Sequence, residues 1–149
     1  MVETYDCDDA ELIIVALGTT VESARVASNA MRKKGLKTGV ASIRTLRPFP
    51  YKQLGNALKN AKAIATLDRS LPAGAMGMLF NEVAAAIYGA DDTKHPVISN
   101  YIYGLGGRDL TQKHLEEVYD ELIANAKAKK LTHPTQQFIG LRGKKLGFN

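Results

Sequence analysis

The sequence predicts an α/β domain, a mostly parallel sheet with helices on both faces. Three observations carry this. Apolar runs rich in β-branched residues alternate with helical patterns along the chain, in the order β-α-β-α-β-α-β-α. The first run, residues 12–17, reads Leu-Ile-Ile-Val-Ala-Leu without a polar break, as a strand buried on both faces requires. Met76, Leu79, Phe80, Val83, Ala84 and Ile87 fall at the 3,4,3,4 spacing of one helix face.

Each element follows from local chemistry. Gly18 ends the first strand, and Thr19 with Glu22 forms a capping-box pattern for a helix over residues 21–34. Ala24, Ala27 and Met31 share a face of that helix, and Gly35 stops it. Residues 38–44 form the second strand through Val40 and Ile43. Arg47-Pro48-Phe49-Pro50 then forbids regular structure, because each proline lacks a donor and extends the residue before it. A short helix over residues 51–60 uses Leu54, Ala57 and Leu58, and residues 63–67 are the third strand.

A loop of small residues at 71–77 leads into the clearest helix, with Ala85 and Ala86 suggesting cover on more than one side. Residues 96–102 are the fourth strand, followed by a glycine-rich turn at 104–109. Thr111 caps the last helix, whose core face is Leu115, Val118, Tyr119, Leu122, Ile123 and Ala126. His133-Pro134 breaks it. Residues 1–132 are read as the domain and residues 133–149 as an irregular C-terminal tail, with room for one additional short strand.

The chain has 149 residues, enough for one domain that folds without disulfides or metals. A single cysteine, Cys7, can build neither an internal disulfide nor a metal cluster, which points to a reducing, cytoplasmic setting. The longest apolar stretches fall far short of the roughly 20 residues that span a membrane, and no basic-then-apolar leader opens the sequence. The net charge of +5 is uneven. Glu3, Asp6, Asp8, Asp9 and Glu11 crowd the first eleven residues, and Lys127, Lys129, Lys130, Arg142, Lys144 and Lys145 the last twenty-three. The aromatic interleaving that stacks bases is missing from the basic end, so nucleic acid is not the expected partner.

Three places can hold chemistry or contacts. Gly18, Thr19 and Thr20, between a strand and a helix, offer an anion-binding turn. They lack the further glycines of a dinucleotide fingerprint and the lysine of a P-loop. Asp68 and Arg69, at the end of the third strand, are either ligand or domain contacts or an internal ion pair or cap. Gly104, Gly106, Gly107, Arg108 and Asp109 are either an interface or a plain strand-to-helix turn. His95, His114 and His133 have no metal-ligand spacing, with His114 expected at the surface of the last helix's first turn. The acids around Cys7 disfavour a thiolate, and no serine sits in a nucleophile-elbow pattern. No catalytic residue or metal site is expected in this chain.

Four segments occur in order: Asp9-Ala10-Glu11 leading into residues 12–18, Arg44-Thr45-Leu46-Arg47-Pro48-Phe49-Pro50, Leu67-Asp68-Arg69-Ser70, and Gly104-Leu105-Gly106-Gly107-Arg108-Asp109. Over about residues 3–125 they resemble the transketolase C-terminal-like domain of the alpha chain of pyruvate:ferredoxin oxidoreductases, or pyruvate synthases. The resemblance implies that fold. It also implies an enzyme that decarboxylates a 2-oxoacid to its coenzyme A ester and reduces ferredoxin, using thiamine diphosphate and iron–sulfur clusters. The Arg-Pro-Phe-Pro form favours pyruvate. Implied partners are a preceding thiamine-binding domain, further subunits of beta, gamma and delta type, and ferredoxin through the whole enzyme, with no membrane and no nucleic acid. The start at Met1-Val2 looks like truncation of a longer alpha chain. This part is then structural and inactive alone, holding no cofactor itself. The loops carrying Arg47, Arg69 and Arg108 are expected to share one sheet edge and to meet the rest of the enzyme there. The alternative is an independent anion- or nucleotide-binding module working through Gly18, Thr19 and Thr20.

Overall fold

The computed structural model describes residues 1–90 and 95–141. Strands β1 (Val2–Tyr5), β2 (Leu12–Ala16), β3 (Thr38–Ile43), β4 (Ala63–Asp68), β5 (Val97–Ile102) and β6 (Gln136–Phe138) form one sheet in the order β1-β3-β2-β4-β5-β6. All neighbours are parallel except β1, which runs antiparallel to β3 with Val2 opposite Ile43. Helices α1 (Thr20–Lys33) and α4 (Gln112–Ala128) cover one face, and α2 (Tyr51–Leu58) and α3 (Met78–Tyr88) the other. Every residue of β2, β3 and β4 is buried, which explains the unbroken apolar run of β2 and the small or apolar residues that fill most of β3 and β4.

Side chains of β2 divide by parity between the two cores. Leu12, Ile14 and Ala16 meet α1 and α4 together with Met31, Leu115 and Tyr119. Ile13 and Val15 meet α2 and α3 together with Leu54, Leu58, Leu79 and Val83. Each large aliphatic side chain removed from water contributes ~1.5–3 kcal/mol.

The crossovers do not all share a hand. Helix α1 joins β2 to β3 in one sense across the sheet, and α2 and α3 carry the chain back the other way on the opposite face. These three connections therefore have the same hand. The β5-α4-β6 connection moves in the sense of β4-α3-β5, yet α4 lies beside α1. It has the opposite hand, an uncommon arrangement.

Several expectations change. Thr19 does not cap α1: it is already helical (φ −65°, ψ −23°) and its side chain makes no cap bond. The first amides are satisfied by backbone instead, Val21 N–H donating to Gly18 O and Glu22 N–H to Thr19 O. Met76 precedes α3, and Ala85 is exposed, so α3 has no second cover there. At α4 the cap is complete. Thr111 Oγ1 accepts from His114 N–H at 3.3 Å and His114 Nδ1 accepts from Thr111 N–H at 3.3 Å, which leaves His114 half-buried, with its imidazole in the role usual for Glu or Gln.

Two strands extend the expected four. β1 comes from the acidic start, whose charges are met by the body of the domain. Glu3 pairs with Arg44 at 3.3 Å, Asp9 with Arg32 at 2.6 Å and Glu11 with Lys62 at 2.8 Å. β6 comes from the tail and is pinned by His133, which contacts Asn125 Nδ2 at 3.1 Å and Glu121 Oε2 at 3.5 Å. Arg142, Lys144 and Lys145 lie outside the described residues. No helix among the described residues is long and apolar enough to cross a membrane.

Candidate functional site: the carboxyl edge of the sheet

Because β2, β3, β4 and β5 are parallel, their outgoing loops leave from one edge. That edge gathers Gly18 and Thr19, the loop with Arg47, the loop opened by Asp68 and Arg69, and the turn ending in Arg108 and Asp109. Open α/β sheets bind ligands and partners at such edges. The sequence-selected residues do meet there, but they do different work.

Asp68 is a helix cap. It is 5% exposed, and its carboxylate accepts from Leu79 N–H at 2.8 Å, Phe80 N–H at 3.3 Å and Asn100 Nδ2 at 2.8 Å. A carboxylate at the start of α3 satisfies amides that have no partner within the helix. Burial raises the pKa of this carboxyl, against the three donors that lower it. Asn100 extends the network: its Oδ1 accepts from Gly77 N–H at 2.9 Å and from Gln136 Nε2 at 3.2 Å, and its Nδ2 also reaches Thr66 Oγ1 at 3.1 Å. The β4–α3 loop is therefore bolted to β5 and β6 from beneath. Sequence reasoning missed Asn100 and Gly77. The only sign of Asn100 was a polar residue inside an apolar strand.

Arg47 is a brace. Its guanidinium pairs with Glu82 of α3 at 2.7 Å and donates to Leu46 O at 2.7 Å, while the Tyr51 hydroxyl donates to the same Glu82. Arg69 is exposed, and its side chain lies against Gly104, where a Cβ would stand 3.2 Å from Nε. The turn needs its glycines: Gly104, Gly106 and Gly107 have φ of +70°, +66° and +74°, around a 3-10 turn at Leu105–Gly107. Arg108 leaves it extended and half-buried, and Asp109 is exposed.

The Gly18 turn is open, with φ +61° and nothing near its missing Cβ. The hydroxyl of Thr20 is engaged, 2.6 Å from the Tyr103 hydroxyl at the end of β5. That bond ties the loop after β2 to the turn after β5.

Other reactive groups lie away from this edge. Cys7 is 4% exposed, within hydrogen-bond reach of Val40 O at 3.3 Å, and burial, more than Asp8 and Asp6, pushes its thiol up to about 11. The native chain is expected to resist thiol alkylation at pH 8, and the same thiol to react once urea unfolds it. Rapid native labelling by a thiol reagent would contradict the buried, protonated state. Among the described residues no group of three His, Cys, Asp or Glu side chains stands close enough to hold a metal ion.

The family described as pyruvate:ferredoxin oxidoreductase core domain II matches residues 10–115. The ketoisovalerate oxidoreductase subunit VorA of Pyrococcus furiosus is 38% identical over 122 residues, covering 82% of this chain and 30% of that protein. The pyruvate synthase subunit PorA of Thermotoga maritima is 35% identical over 141 residues, covering 95% of this chain and 34% of that protein. The chain thus spans about a third of the length of these curated relatives. Two solved structures share the fold. One is a 2-oxoglutarate:ferredoxin oxidoreductase from Magnetococcus marinus (TM-score 0.64, 18% identity, 83% of this chain and 20% of that one). The other is a split-gene transketolase, an inactive beta4 tetramer (TM-score 0.59, 20% identity, 78% and 39%). The matched segment runs from two residues before β2 into the first turn of α4, so it contains the whole carboxyl edge, and the chain belongs to the pyruvate:ferredoxin oxidoreductase core domain II family.

Proposed function

We propose that this chain serves as a non-catalytic assembly domain of a cytoplasmic 2-oxoacid:ferredoxin oxidoreductase acting on pyruvate. The family match over residues 10–115 carries the reading, because it spans the strands and loops of an edge whose polar groups cap helices and brace loops. Arg47-Pro48-Phe49-Pro50 supports pyruvate over other 2-oxoacids. In such an enzyme thiamine diphosphate, coenzyme A and iron–sulfur clusters supply the chemistry. The donor set here does not fit a cluster, which needs several thiolates, since the chain has one cysteine and it is buried. Those groups then belong to the preceding thiamine-binding domain and to subunits of beta, gamma and delta type, and electrons leave to ferredoxin from the assembled enzyme.

The test has two arms. The purified chain, given pyruvate, thiamine diphosphate, coenzyme A and ferredoxin, is expected to release no carbon dioxide. Tagged in its own host, it is expected to copurify with thiamine- and cluster-bearing chains and with pyruvate-dependent ferredoxin reduction. Thiamine-dependent decarboxylation by the chain alone would refute the non-catalytic role. Copurifying activity on another 2-oxoacid in preference to pyruvate would refute the substrate.

A further inference from the structure

Arginines in this domain are sorted by position. Of the six described, four have acidic partners inside the chain: Arg25 with Glu22 at 3.0 Å, Arg32 with Asp9 at 2.6 Å, Arg44 with Glu3 at 3.3 Å and Arg47 with Glu82 at 2.7 Å. Arg69 and Arg108 have none among the described residues. The two belong to one surface, since Arg69 lies along Gly104, the first residue of the turn that Arg108 ends. Beside them the β4–α3 loop and the first residue of α3 turn apolar groups outward. Leu71 is 38% exposed and Met78 39%, and Pro72, Ala73 and Ala75 are exposed between them. A chain that satisfies its other described arginines leaves two uncommitted next to a run of outward apolar groups.

The loop is not loose. Its base is fixed by Asp68 and Asn100 through the amides of Gly77, Leu79 and Phe80. A preorganised apolar strip flanked by guanidinium groups loses little entropy on docking. We infer that residues 69–78 and the turn at 104–109 form one docking surface for another domain or subunit of the oxidoreductase, whose matching face is apolar at its centre and carries carboxylates for Arg69 and Arg108. Charge complementarity selects that occupant. Arginine's planar fork binds carboxylates in pairs of hydrogen bonds, and buried arginines at an interface centre are frequent energetic anchors. The relatives, with about two thirds of their length outside the matched region, have the body to supply such a face. This inference rests on the assembly role proposed above.

The experiment co-expresses the full chain with the remaining chains of its oxidoreductase and measures association at several salt concentrations. Arg69→Glu and Arg108→Glu are each expected to weaken association by roughly tenfold or more. Leu71→Asp is expected to do the same, while Arg25→Glu, an equal charge change on α1, leaves association as in wild type. The melting temperature of each variant chain should stay at the wild-type value. If wild type assembles and the three edge variants assemble equally well, the docking surface is wrong and the assembly role stands. If the arginine variants melt several degrees lower while the surviving fold assembles normally, the arginines brace their own loops and the surface is again wrong. If wild type does not associate with those chains at all, both readings fall.

Discussion

Gly77→Ala is expected to destabilise the domain by about 3 kcal/mol, although its backbone is ordinary (φ −55°, ψ 147°). The reason is space. A Cβ at this position would stand 2.2 Å from Asp68 Oδ2 and 2.3 Å from its Cγ. Asp68 has nowhere to go, because it is buried and holds the first amides of α3 together with Asn100. Turning it aside leaves buried donors unpaired at ~1–3 kcal/mol each. In thermal melts a domain of this size loses roughly 2–4 °C per kcal/mol, so a shift of about 6–12 °C is expected. Asp68→Ala removes the obstacle as well as the cap. Its cost and that of Gly77→Ala should therefore fail to add, the double variant being more stable than the sum by at least about 1 kcal/mol. Additive costs, or a Gly77→Ala chain that melts with wild type, would show that the contact does not govern the loop.

Tyr119→Ala is expected to be the most damaging core change, at ~3–5 kcal/mol in urea unfolding. Tyr119 is fully buried on the face of α4 that meets β2 and α1, and its hydroxyl donates to Gly39 O at 3.0 Å across to β3. Truncation removes the ring from a packed core and leaves a cavity between helix and sheet. Tyr119→Phe separates the two contributions. It keeps the ring and gives up one buried hydrogen bond, for about 1 kcal/mol. Equal losses for the two variants would mean that the hydrogen bond, not the packing, holds α4 down.

The central strands and the helices were legible because burial on both faces writes itself into composition. Ile13, Ile14 and Val15 have no solvent-facing neighbour to interrupt them. Strand β1 was hidden for the opposite reason. Its four residues, Val-Glu-Thr-Tyr, lie at an edge among acids, and their pairing depends on β3 some forty residues on. The loops were located by sequence, and a cap was one of the readings open for Asp68, but the partners were not legible. Nothing local says that Asp68 will cap a helix starting ten residues later, or that Arg47 will find Glu82 thirty-five residues away. Thr19 shows the converse: the capping pattern is present, and backbone bonds around Gly18 replace it. Such outcomes depend on which loops the sheet brings together, and spacing along the chain does not encode that.

The odd hand of the last crossover shapes that edge. In a sheet wound with one hand throughout, outgoing chains turn to the same side over each half, and a single cleft opens where they part. Here β3 sends its chain to the face of α2, β2 to that of α1, β4 to that of α3 and β5 to that of α4, so direction alternates at each successive strand. The edge is laced like a boot, with loops crossing left and right in turn and the Thr20–Tyr103 bond drawn across β4 as one of the ties. Lacing sends neighbouring strand ends to opposite faces instead of parting them at one point. It also makes the position of each loop depend on its neighbours to either side, so a change in the Gly104 turn is felt at Arg69 before it is felt anywhere in the core.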